Sequence, residues 1–221
     1  MIQLKQSKAK RNSAGQAFTL VELLVVITII SIIAGLTVGV FGGASLQKTR
    51  MLTKAQLSKI QVGIEGYKSK FGAYPPSDPN PVDHEVNALF YELTGTYFDT
   101  ATSTYRSIFK QDNTLTTGQL TTVFGSAMAG LANAHATGQN LEPFATLQPS
   151  DFAEVSVGGI NVMLLTVPSR PVQGGYVANA NYWHYRASPV DGYNPTTYDL
   201  WAEIRGKKAS DKETIGNWNT R

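Results

Sequence analysis

The sequence predicts an α+β chain in which a long N-terminal helix spans a membrane with its first half and packs its second half on a small antiparallel β-sheet. Three observations predict it. Leu23 to Phe41 is a run of 19 residues without a charge, long enough to cross a bilayer as a helix. No proline occurs between Phe18 and Tyr74, and Leu57, Ile60, Ile64, Tyr67 and Phe71 recur at three- and four-residue steps, the spacing of one apolar helix face. From Phe152 onward, short apolar and aromatic runs alternate with turn residues, a strand pattern.

Residues 1–17 form a basic head with Lys5, Lys8, Lys10 and Arg11. The positive-inside rule places it on the cytoplasmic side. An ordinary secretory signal would also begin this way. Its apolar core would be shorter, however, and its small-residue cleavage site would follow the core. Here the small residues Ala14, Gly15 and Ala17 precede it.

Residues 18–43 read as the membrane or filament-core half of the helix, and 44–74 as its amphipathic continuation. A helix from Phe18 to Phe71 would be about 80 Å long at ~1.5 Å per residue. Lys54, Lys59, Lys68 and Lys70 fall mostly off the apolar stripe. Gly35, Gly39 and Gly43 repeat every fourth residue, with Gly42 adjacent. Such a row allows close helix packing in a membrane. It also makes a stretch that unwinds readily, since each interior Gly costs about 1 kcal/mol relative to Ala. Both readings stand. Gly72 suits the helix C-terminus, and Pro75-Pro76 forbids continuation.

Residues 75–221 make the globular α+β part. Val86–Leu93 reads as a short helix with Asp83 as its cap. Residues 94–150 are rich in Thr, Ser, Ala, Gly and Gln and read as an insertion, with helical character over Leu120–Ala136. Val155–Val157, a Gly158-Gly159 turn and Ile160–Val167 give a hairpin. Asn181–Arg186 and Thr197–Ile204 give two further strands. Three or four antiparallel strands on the amphipathic half-helix would supply the core.

The segment Ala17-Phe18-Thr19-Leu20-Val21-Glu22-Leu23-Leu24 resembles the prepilin cleavage and methylation motif of type IV pilins and type II secretion pseudopilins. The resemblance implies a pilin-like fold. It also implies cleavage between Ala17 and Phe18 by prepilin peptidase, and N-methylation of the new Phe18 amine. Ala17 stands where the family usually has Gly. Glu22 becomes the fifth mature residue. A carboxylate at the edge of hydrocarbon costs roughly 2.5–3.5 kcal/mol on insertion scales, so Glu22 needs a partner. The expected one is the Phe18 amine of a neighbouring subunit. Paired and hydrogen-bonded, the two charges are far cheaper in an apolar bundle than apart.

The phrase Tyr67-Lys68 through Gly72, Tyr74, Pro75 and Pro76 resembles the major pseudopilin of type II secretion, as does the closing Ile215-Gly216-Asn217-Trp218. The implied function is a structural, non-enzymatic subunit that polymerises into a filament driving protein export. The implied partners are further copies of itself, prepilin peptidase, an inner-membrane assembly platform, minor pseudopilins and the lipid bilayer. The implied location is the bacterial inner membrane, single-pass, with the C-terminal domain in the periplasm. A major or minor type IV pilin for adhesion or motility is the alternative. In the major pseudopilins an acidic loop before the closing phrase binds calcium. Here that loop offers Asp211 and Glu213 among three lysines, thin support for an ion that takes six to eight oxygens. No cofactor is expected.

Composition narrows the classes further. The 221 residues carry a net charge of +3, but removing the four leader bases leaves 15 Lys and Arg against 16 Asp and Glu. The basic balance therefore belongs to the leader and predicts no nucleic-acid partner. With no cysteine, disulfide staples and cysteine catalysis are excluded. His84 lies between Asp83 and Glu85, but His135 and His184 do not complete a ligand spacing with it. No Gly-x-Ser-x-Gly elbow or phosphate loop occurs. The aromatics Tyr176, Tyr182, Trp183, Tyr185, Tyr193, Tyr198 and Trp201 are read as core and cross-strand packing rather than a glycan-binding face.

Overall fold

A computed structural model describes residues 19–78, 84–172, 181–206, 208 and 210–218, with side chains given for all of these except 36–44. The chain divides into two compact units, Met1–Gly43 and Ala44–Arg221. Helix α1, Leu20–Phe71, supplies the first unit's described structure and the opening helix of the second. Its C-terminus is closed by Gly72 at φ +77°, whose N–H donates to the Lys68 carbonyl at 2.8 Å. This is the left-handed cap that glycine adopts without strain.

In the second unit the predicted stripe faces the core. Leu57, Ile60 and Ile64 are fully buried, as is nearly all of Tyr67, whereas Phe71 lies partly exposed at the helix end. Each such aliphatic side chain removed from water is worth about 1.5–3 kcal/mol. Against this stripe pack Leu89, Phe90 and Leu93 of α2 (Leu89–Thr94) and Trp183 near the start of β7.

Three sheets follow. The first contains β1 (Thr96–Asp99), β2 (Thr104–Ser107), β3 (Thr114–Thr116) and β4 (Ala134–Ala136), in the order β3-β2-β1-β4. The β1–β4 pair is parallel and the others antiparallel. The second is the hairpin of β5 (Phe152–Val157) and β6 (Ile160–Leu165). Its two-residue turn places Gly158 and Gly159 at φ +57° and +82°, the geometry that favours glycine and matches strand twist. The third is antiparallel, with β7 (His184–Ala187), β8 (Tyr198–Arg205) and β9 (Lys212–Gly216) in that order.

Three expectations are corrected. The short helix begins at Leu89 rather than Val86. Asn87 spends its amide on the Trp183 carbonyl at 2.7 Å and the His84 carbonyl at 2.9 Å, which ties this stretch to the β7 edge. The proposed cap Asp83 lies outside the described residues. Within 94–150, helix is confined to α3 (Thr117–Phe124), where Thr116 and Gln119 form a reciprocal capping box. Gly125 at φ +98° ends it. The chain from there to β4 is fixed instead by the buried carboxylate of Glu92, which accepts from the Ala132 and Asn133 N–H groups at 3.0 and 2.9 Å. Finally, Lys212–Gly216 is a strand rather than a loop, because its residues pair with Trp201–Arg205 of β8.

Polar bonds set the register between these parts. Trp183 Nε1 donates to Gln56 on α1 at 3.0 Å, and Gln56 donates to Asp151 at 3.2 Å. Asp151 also accepts from Lys59 at 2.7 Å. The Tyr91 hydroxyl donates to Asn113 at 3.0 Å and accepts from the Met163 N–H at 2.9 Å, joining α2 to β6. Buried aromatic hydroxyls satisfied in this way fix one arrangement of a core.

Candidate functional site

Leu20 and Val21 follow Thr19, and Glu22 lies three residues after it. This Thr-x-x-Glu spacing is that of a capping box, and the structure forms it. Glu22 Oε2 accepts from the Thr19 N–H at 2.9 Å and from its hydroxyl at 2.7 Å. The Glu22 N–H donates back to the Thr19 hydroxyl at 3.2 Å. The carboxylate therefore also satisfies its own helix terminus, where negative charge is favoured by the helix dipole. Among the described residues its second oxygen, Oε1, accepts no hydrogen bond. Ala17 and Phe18, the expected cleavage and methylation residues, lie outside the described residues.

Around and beyond Glu22 the described helix surface is almost wholly apolar. Leu20, Val21, Leu23, Leu24, Val25, Val26, Ile27, Ile29, Ile30, Ile32 and Ile33 are each between 44% and 79% exposed. An apolar surface this continuous marks a membrane or protein contact. The two hydroxyls within it turn inward along the backbone: Thr28 donates to the Leu24 carbonyl and Ser31 to the Ile27 carbonyl, both at 2.7 Å. Such bonds leave no hydroxyl requiring water. Residues 36–44 of the predicted span lie outside the described side chains. Among the described residues no helix is long and apolar enough to cross a membrane.

The two calcium candidates have different partners. Glu213 on β9 receives a two-pronged bond from Arg50 of α1, with Nε at 2.8 Å and Nη2 at 2.6 Å. The pair joins the helix to the last strand of the third sheet. Asp211 stays in its loop, where Oδ2 accepts from the Lys208 N–H at 3.2 Å. Among the described residues no group of three or more His, Cys, Asp or Glu side chains is placed to hold a metal ion. His135 meets Asn133 at 2.9 Å, while His184 approaches Glu85 at 3.6 Å and stacks on Trp201.

Residue types alone singled out Glu22 but not Thr19, although the box spacing was readable. Arg50–Glu213 carried no signal, because 163 residues separate the partners.

Residues 12–38 match the family described as the prokaryotic N-terminal methylation motif. This is the type IV pilin-family signal, so the chain is type IV pilin-like over that stretch. The motif points to a subunit that prepilin peptidase processes, that is anchored in a membrane and then assembled, and that is structural rather than enzymatic. It fits a pseudopilin and a pilin equally. No curated protein and no solved structure matches the chain.

Proposed function

We propose that this chain is the structural subunit of a type II secretion pseudopilus, with a pilin-like fold. Prepilin peptidase cleaves it between Ala17 and Phe18 and methylates the Phe18 amine. The observation that carries the reading is the methylation motif over residues 12–38, together with Glu22 four residues after Phe18 at the start of a 52-residue helix. In the inner membrane the exposed apolar residues Leu20–Ile33 face lipid. In the filament they face the same segment of neighbouring copies. In the second unit, Met51, Leu52 and Val62 are exposed at 64%, 47% and 71%.

Glu22 has two tasks in this account. Oε2 keeps the capping box with Thr19, while Oε1 is available to the methylated Phe18 amine of the adjacent copy. That pairing sets axial register as a subunit leaves the bilayer. Filament growth on the inner-membrane platform, with minor pseudopilins at its start, then moves cargo by assembly rather than catalysis. The lack of cysteine favours the pseudopilus over pilins that close a C-terminal loop with a disulfide. Electron microscopy of cells overproducing the chain tests the proposal. Filaments from the wild type and none from Glu22→Ala are expected. Filaments of normal yield from Glu22→Ala would overturn the pairing, and a protein that stays monomeric in all conditions would overturn the function.

A further inference from the structure

The third sheet ends in a cleft of about 270 Å³, lined chiefly by His84, Arg186, Asp191, Tyr193, Trp201 and Trp218. We propose that this cleft binds one pyranose ring of a neutral saccharide. The inference is independent of the filament reading.

The aromatic residues of this region divide sharply. Tyr182, Trp183, Tyr185 and Tyr198 are core residues, each at most 3% exposed, as the strand pattern predicts. Tyr193 is 69% exposed. Its ring stacks on Trp218 with centroids 4.0 Å apart and planes 11° from parallel. Trp218 in turn lies over Gly216, where a Cβ would come within 2.8 Å of the indole. A stack that only sealed the end of the sheet would bury its outer ring. This one holds that ring in solvent. Trp201 forms a second plane, tilted 54° from Trp218 at 5.8 Å and backed by His184 stacked at 4.9 Å.

The exposed ring is also positioned in advance. Asp199 is only 2% exposed, and its carboxylate accepts from the Tyr193 and Asn194 N–H groups, each at 2.9 Å. The Asn194 side-chain amide adds a third bond at 2.9 Å. Only glycine fits at position 192, since a Cβ there would lie 2.3 Å from Asp199 Oδ2. A buried carboxylate satisfied by loop amides is a costly way to hold a loop that does nothing. It does spare a ligand the cost of ordering Tyr193.

The chemistry of the lining selects the ligand class. With Trp218 held between Tyr193 and Gly216 and Trp201 backed by His184, the outer face of the exposed Tyr193 ring is the plane offered to the C–H side of a sugar ring. The rim offers both hydrogen-bonding polarities: the Arg186 guanidinium as donor and the Asp191 carboxylate as acceptor, ion-paired with each other. Arg186 draws the Asp191 carboxyl below its ordinary range. An anion would meet Asp191 and a cation would meet Arg186, whereas a neutral polyol can bond to both. The volume falls just under the roughly 300–1,000 Å³ of drug-sized pockets, which suits a single ring.

The test uses the full chain in a detergent without a sugar headgroup. Methyl β-glucopyranoside, methyl β-galactopyranoside and N,N′-diacetylchitobiose are the neutral probes, with N-acetylneuraminic acid and glucosamine as charged ones. Saturation-transfer NMR and tryptophan fluorescence are the readouts. At least one neutral probe should bind saturably, Tyr193→Ala should weaken it about tenfold, and Tyr193→Phe should retain it. The melting temperature of Tyr193→Ala should match the wild type, since the ring is exposed. Absence of saturable binding by every neutral probe would overturn the proposal. So would tighter binding of a charged probe, or binding indifferent to Tyr193→Ala.

Discussion

Replacing Glu92 with Ala should destabilise the Ala44–Arg221 unit more than any surface change. Glu92 is fully buried on α2 and accepts from the Ala132 and Asn133 N–H groups. Truncation removes both acceptor contacts at once. A buried donor left unpaired costs about 1–3 kcal/mol, so two give roughly 2–6 kcal/mol before relaxation. Water entering the space would bring this toward the lower end, about 2 kcal/mol. At ~2–4 °C per kcal/mol for a domain of this size, the melting temperature should fall by about 4–8 °C. Near-ultraviolet circular dichroism reports it through the buried Trp183. Glu92→Gln keeps one acceptor oxygen and should lose less.

The pH dependence of Glu92 has a definite sign. Burial raises its carboxyl above the ordinary 4.5, so the folded state holds a proton that the unfolded chain has released. Stability from this group is therefore greatest below the unfolded value and declines as pH rises through the folded one. The difference between wild type and Glu92→Gln should shift accordingly, with the wild type relatively more stable at acid pH. A melting temperature for Glu92→Ala within about 2 °C of wild type, under 1 kcal/mol, would refute the reasoning.

Three further outcomes follow from the same contacts. Glu22→Gln should keep an oxygen for the Thr19 cap and leave membrane insertion unchanged, yet lose filament assembly in electron micrographs; normal filaments would show that the charge is not needed. A double-mutant cycle on Arg50→Ala and Glu213→Ala, read by denaturation, should give a coupling of only about 0.2–1 kcal/mol, because both side chains are about one-third exposed. Chelator should leave the melting temperature unchanged, since Asp211 and Glu213 have separate partners; a calcium-dependent rise would reinstate the loop as a metal site.

What the sequence made legible follows the range of each signal. Local periodicity is strong in α1, and the Gly158-Gly159 turn names its own hairpin, so both were readable. The order of β1–β4 was not. Its parallel β1–β4 pair joins Thr96 to Ala134, and the chain between is fixed by Glu92 forty residues upstream of its acceptor contacts. No window of propensity contains that bond. The candidate site divides the same way. Glu22 stands out because a lone acid in an apolar run is costly, whereas the Tyr193–Trp218 stack is invisible until β8 and β9 pair. Aromatic residues look alike in sequence whether they lie on a buried strand or in a loop, and only the fold puts Tyr198 at the buried start of β8 and Tyr193 in the exposed loop before it.

Mass determination of the N-terminal peptide from protein recovered from an assembled filament addresses the central claim most directly. A chain beginning at Phe18 with one added methyl group on its amine is the predicted result. A chain that still begins at Met1, or one cut beyond Phe41, would leave Glu22 without its intended partner and contradict the account.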